Sequence, residues 1–218
     1  MGRATGSVLP RSPYEPTNRP DRLRTVQPIV PVLAQYPFND PAWLFEPKFD
    51  GYRGLLHVSP AGTAFFSKRC LLMKRFSAFA EELRDQLRGR DALLDGEVVA
   101  FDEQGRVDFR LLMRGQGRLH YVAFDLLWLN GRDLRGKRLT ERKRRLEQVI
   151  PMNTPELSRV LSVEEEGVAL FKAAQQLDLE GIVAKRKADP YGPEVRWLNI
   201  KNRAYTQMEG RAELLHPR

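Results

Sequence analysis

With 218 residues, 42% of them hydrophobic, the chain is long enough to bury a sizeable core. Its 36 basic against 28 acidic residues leave a formal charge of +8 and a pI near 9.8. That balance suits a polyanionic partner, nucleic acid or a nucleotide, and is equally compatible with a basic protein that has none. A single cysteine, Cys70, excludes an internal disulfide and a cysteine-rich zinc site, and fits a reducing cytosol. The three histidines, His57, His120 and His216, lack metal-ligand spacing. No apolar stretch approaches the ~20 residues of a membrane-crossing helix, and the N-terminus does not read as a signal peptide.

In chain order, residues 1–24 are rich in Arg, Pro, Ser and Thr with little to bury, and read as a basic, mostly disordered arm. Pro28, Pro31, Pro37 and Pro41 punctuate an extended lead-in. Short strands are expected at 43–46, 53–58 and 63–66. Phe76, Phe79, Ala80, Leu83 and Leu87 recur at helical spacing, predicting a helix over 75–88 that stops at Gly89. Residues 92–101 and 119–129 form two near-continuous apolar strands, the second ending at the turn signal Asn130-Gly131. Thr140 is expected to cap a short helix carrying Leu146, Val149 and Ile150, with Arg142-Lys143-Arg144-Arg145 as a solvated basic face. Ser162-Val163-Glu164-Glu165 has the form of a capping box, opening a helix through Val168, Phe171 and Leu177. Strands at 181–186 and 196–201 close the chain, with no internal repeat and no interdomain linker.

One stretch organises the rest: Glu46-Pro47-Lys48-Phe49-Asp50-Gly51-Tyr52-Arg53. Lysine, with an unperturbed pKa of about 10.4, is a poor nucleophile until desolvation or neighbouring cations favour its neutral amine. Arg53 offers such a charge and also suits phosphate, Asp50 could orient the amine, and Gly51 permits a tight turn. A solvated lysine beside a turn reads equally well from this stretch alone. Further along, ionisable residues interrupt apolar strands, where charge is costly unless paired or bound to a ligand. These are Asp95 and Glu97 in LLDGEVV, Asp125 in VAFDLL, Glu180 and Lys185 in LEGIVAKR, and Lys201 in WLNIK.

In this ordered set the sequence resembles the covalent nucleotidyltransferases, above all the adenylation domain of ATP-dependent DNA ligases and the ligase domain of bacterial end-joining ligase D. The motif K-x-D-G-x-R matches Lys48 to Arg53, D-G-E matches Asp95-Gly96-Glu97, and the aromatic F-D pair matches Phe124-Asp125. E-G-[IV]-[IV]-x-K matches Glu180 to Lys185, and W-x-K-x-K matches Trp197 to Lys201 in part. The likeness covers about residues 28–203.

The resemblance implies an α+β fold with two antiparallel β-sheets flanked by helices and a nucleotide groove between them, of ATP-grasp-like nucleotidyltransferase type. It implies a domain over 25–205 and a tail over 206–218, with no OB-fold domain, since only 17 residues follow Lys201. It implies that Lys48 takes AMP from ATP with Mg²⁺ (or Mn²⁺) and passes it to a 5′-phosphate of nicked or broken double-stranded DNA in repair, recombination or end joining. Glu46 would then read the adenine edge, Phe124 stack on the ring, and Arg53 and Glu97 hold the ribose side. Lys185 and Lys201 would contact the α-phosphate, Asp50 and Glu180 (with Asp95 near) the metal, and Lys68 and Arg69 the DNA backbone. An end-joining or OB-fold protein is the expected partner, in a bacterial cytoplasm at the nucleoid, with no membrane.

Two departures temper that picture. Asn199 stands where the last motif carries its first lysine, and Ser67-Lys68-Arg69-Cys70 replaces a segment usually written S-R-x-G. They keep open a catalytically weak DNA-binding accessory protein that retains the nucleotide pocket, and, more distantly, guanylyl transfer as in mRNA capping.

Overall fold

The computed structural model describes residues 20–87, 89–150 and 154–208. One sheet has the strand order β1 (Val32–Ala34), β11 (Leu198–Lys201), β10 (Gly181–Arg186), β2 (Asp40–Lys48) and β9 (Val163–Glu165). The other runs β4 (Gly62–Ser67), β3 (Tyr52–Ser59), β5 (Ala92–Phe101), β6 (Arg118–Leu129) and β7 (Arg132–Asp133), with β8 (Leu157–Arg159) also paired to β6. The pairings are antiparallel as expected, except that β1–β11 and β6–β8 are parallel. Each exception is a three-residue pairing made by a short strand distant in sequence from its partner, which a crossover rather than a hairpin must deliver.

Helices cover the sheets. α5 (Gly167–Gln176) packs on β10 and β2, while α2 (Ser77–Gln86), α3 (Phe109–Arg114) and α4 (Leu139–Val149) pack against β4, β5 and β6. β5 is buried on both faces: Leu94, Val98 and Ala100 join the helix-side core, and Leu93 joins a second core that includes Leu55, Phe66, Tyr191 and Trp197. Burial on both sides explains why the strand reads as a continuous apolar run rather than an alternating one.

Several expectations shift. The disordered arm does not extend to residue 24: Asp21–Arg24 forms a helical turn (α1), Leu23 is fully buried, and Arg22 pairs with Asp91. Residues 1–19 of that arm lie outside the described residues. At the other end Thr206 donates through its hydroxyl to Asp178 at 2.5 Å, and Gln207 bonds Val107 and Phe109, so the fold runs past residue 205. The capping box does not form. Residues 163–165 pair with β2 instead, α5 begins at Gly167, and the Ser162 hydroxyl donates to Glu46 at 3.2 Å. Thr140 is no cap either, since α4 already starts at Leu139 without a side-chain cap. α3, unforeseen, has both of its stops: Asp108 accepts from the Arg110 and Leu111 amides, and Gly115 ends the helix in the left-handed region. Among the described residues no helix is long and apolar enough to cross a membrane.

Candidate active site between the sheets

Glu46 to Arg53 is where the chain leaves one sheet and enters the other, because β2 ends at Lys48 and β3 starts at Tyr52. Gly51 makes the crossing possible: a Cβ there would stand 2.2 Å from the Val98 carbonyl oxygen. Gly181, paired with Lys48 across β2 and β10, has a φ of 144°, and a Cβ there would stand 2.1 Å from the Ile200 carbonyl oxygen. Only glycine fits either position. The preceding residue, Glu180, is thereby brought to the lysine, and Lys48 Nζ donates to Glu180 Oε2 at 2.5 Å.

A cavity of about 420 Å³ opens between the sheets beside this pair, a size suited to a small ligand. Glu46, Lys48 and Lys185 line it from one sheet, and Arg53, Glu97 and Phe124 from the other. Phe124 reaches it through a β-bulge: the β5–β6 ladder pairs Asp95 with Asp125 and Gly96 with Ala123, skipping Phe124. Of the remaining expected residues, Lys68 lies on the cavity wall, while Arg69 is exposed outside it. Lys201 is exposed at the end of β11 and does not line the cavity, whereas Asn199, two residues earlier on the same strand, does. Asp50 is also off the wall, buried, with the Tyr205 hydroxyl 3.4 Å from its Oδ2.

The electrostatics divide the cavity into two ends. At the deep end both oxygens of the buried Glu46 carboxylate are engaged: Lys185 Nζ lies 2.6 Å from Oε2, and Lys143 and Ser162 share Oε1. The Lys185 ammonium also sits 3.9 Å from the Trp197 ring centroid and 4.5 Å from that of Phe124. Burial lowers its pKa to about 8 even though Glu46 opposes the shift. At the other end are Lys48, Glu180, Glu97 and Arg53. Burial, followed by the like charges of Glu180 and Asp95, raises the Glu97 carboxyl to about 8 against the opposing pull of Lys48 and Arg53. Arg53 is penalised by burial, but the Asp95 carboxylate more than offsets this and holds its charge firmly.

Lys143 is the main residue that sequence reasoning missed, having been assigned with Arg142 to a solvated face. Arg142 is fully buried and clamps Asp125, while Lys143 turns toward Glu46. For Arg142 the signal is present, since Leu139, Arg142, Leu146 and Val149 form one buried stripe at helical spacing, whereas Lys143, one residue off that stripe, carries none. In the sequence Trp197 reads only as the start of a motif, and Tyr191 and Tyr205 stand in no motif at all. Among the described residues no group of three or more His, Cys, Asp or Glu is arranged to hold a metal ion.

This geometry has counterparts. Residues 34–201 match the family described as the ATP dependent DNA ligase domain. A prophage-derived DNA ligase-like protein, LigB of Bacillus subtilis, is 29% identical over 192 residues, covering 84% of this chain and 70% of that protein. The multifunctional non-homologous end joining DNA repair protein LigD of Mycobacterium tuberculosis is 32% identical over 172 residues, 73% of this chain but 22% of LigD. Among solved structures, mycobacterial DNA ligase D complexed with ATP and MES superposes with a TM-score of 0.68 at 28% identity, covering 80% of this chain and 60% of that one. The chain thus spans only a part of several of the ligases it matches. It belongs to the ATP-dependent DNA ligase domain family.

Proposed function

We propose that the chain is a ligase-type adenylyltransferase. Lys48 Nζ attacks the α-phosphorus of ATP; the N–P bond forms as the bond to pyrophosphate breaks, and pyrophosphate leaves with the electron pair. Glu180 Oε2, at 2.5 Å, takes the proton that the ammonium must lose before it can attack. AMP then passes to the 5′-phosphate of a nicked or broken duplex, and the lysine amine is regenerated. At the deep end, Glu46 and Lys185 present an acceptor beside a donor, suited to the edge of adenine, with Phe124 and Trp197 as aromatic walls. Arg53 and Glu97 face the sugar side. Asn199 on β11 faces the phosphate, Lys201 at the end of that strand stays outside the cavity wall, and Arg69 is exposed toward duplex DNA.

The chemistry of the donor set fits a divalent ion. Mg²⁺ needs only one or two carboxylates beside phosphate oxygens and water, and Glu97 on the cavity wall and Glu180 beside Lys48 offer two. Glu97 and Glu180 would hold Mg²⁺ or Mn²⁺, which supplies positive charge at the phosphate oxygens when bound. Asp50, buried against Tyr205, is better placed to fix the lysine turn than to bind the ion.

The observation that carries the proposal is the lysine–carboxylate pair opening onto a cavity whose far end is lined by aromatic rings and a second lysine–carboxylate pair. Incubation with α-labelled ATP and Mg²⁺ should leave label on the protein, and Lys48→Ala should carry none. A folded wild type that binds nicked duplex but never labels would instead make the chain an accessory DNA binder.

A further inference from the structure

The charges around the cavity are almost all committed. Lys48 is paired with Glu180, Arg53 with Asp95, and Lys185 with Glu46. An incoming triphosphate brings several negative charges, and pairs that already neutralise one another offer it little net attraction. One lysine on the wall stands apart: Lys68 lines the cavity and has no acidic partner among the described residues.

The backbone that carries Lys68 is tightly bonded. Lys68 follows the last residue of β4, where Ser67 is paired with Gly54, next to Arg53. The Ser67 hydroxyl accepts from the amides of Arg69 and Leu71, each at 3.3 Å, and Phe66 bridges back to Leu72. The loop closes through Cys70 at a φ of 54°, with the thiol buried and directed at the Val26 carbonyl. The loop is therefore a tight turn that presents its first side chain to the cavity. Across the cavity, Asn199 is neutral, and its Oδ1 is buried without a hydrogen-bond partner among the described residues.

We infer that Lys68 is a phosphate-binding residue of the nucleotide site, supplying the uncommitted positive charge that Asn199 does not bring. This deepens the proposed function and rests on it: the ligand is the phosphate chain of ATP, and the residue's primary contact is not duplex DNA. Lys68 forms and breaks no bond in the reaction. It positions the phosphates for Lys48.

The test measures ATP affinity by equilibrium dialysis with labelled ATP, the ATP dependence of self-labelling, and nicked-duplex binding as a function of salt. The proteins are the wild type, Lys68→Ala, Asn199→Lys, the double variant, and Lys172→Ala as a control for net charge. Lys68→Ala is expected to weaken ATP binding and raise the half-saturating ATP by about five- to tenfold, as for loss of one ordinary hydrogen bond at a partly exposed site. It should leave the salt slope of duplex binding unchanged. Asn199→Lys should recover most of that loss in the Lys68→Ala background and add less to the wild type. Lys172→Ala should match the wild type. Unchanged ATP affinity in Lys68→Ala, or a gain from Asn199→Lys that is equal in both backgrounds, overturns the inference. A wild type that binds ATP without labelling fails the proposed function alone, because the dialysis still tests Lys68.

Discussion

Asp95 and Asp125 stand directly opposite each other on neighbouring strands, both completely buried. Two carboxylates so placed would repel unless each had its own cation, and each has an arginine gripping it with two hydrogen bonds. Arg142 is itself fully buried and gives two further donors to the carbonyls of Lys137 and Asp189, so that pair is closed. Arg53 keeps 15% of its side chain accessible, lies 5.5 Å from the ring centroids of both Phe124 and Trp197, and forms part of the cavity wall. The two pairs have the same chemistry and nearly the same geometry. Exposure of one face toward a cavity distinguishes a clamp from a site residue, and a sequence lists both simply as charges within apolar strands.

Breaking the closed pair should have the largest effect, and on stability. Asp125→Ala strands a buried guanidinium and is expected to cost about 3–5 kcal/mol, read from urea denaturation midpoints. Arg53→Lys tests the open pair. The lysine loses the planar fork but can turn toward the cavity, so the expected result is a roughly tenfold rise in half-saturating ATP, with a stability loss well below that of Asp125→Ala. A stability loss as large as that of Asp125→Ala, with ATP dependence unchanged, would erase the distinction drawn between the pairs. The last effect is read from pH dependence alone and concerns Glu97, which faces the open pair at the cavity. It holds its proton to about 8 in the folded chain against 4.5 as its ordinary value. Between those values the unfolded chain binds fewer protons, so stability falls as pH rises across the window and levels off above it. Glu97→Gln should flatten this slope, as measured by melting temperatures across the same range.

Part of the cavity wall could be read from the sequence because glycines mark where its backbone passes close to a neighbouring strand. Gly51, Gly96 and Gly181 are all places where a side chain would collide with a neighbouring strand, and each lies beside a charged residue of the cavity or its rim. The strand spans were legible for a related reason: β5 and β10 are bounded as their apolar runs suggest. Less legible was anything decided by direction rather than spacing. Four consecutive basic residues on α4 point four ways round the helix, and composition cannot tell that two of them turn inward. The Ser162 segment had a local helix signal, but pairing of Val163 and Glu164 with the edge of β2 overrode it. Lys201 and Asn199 share a strand face, yet only the inner one meets the cavity. That depends on where the strand ends relative to the groove, which the motif alone does not specify.

The passage from β2 to β3 takes only Phe49 to Gly51, so the amine of Lys48 belongs to one layer and the guanidinium of Arg53 to the other. Lys48 and Arg53 flank this short strap, so any rocking of one layer on the other would change their spacing least. Adjustment of the groove to a ligand then falls on wall residues farther from the strap, while the amine and the guanidinium keep their register.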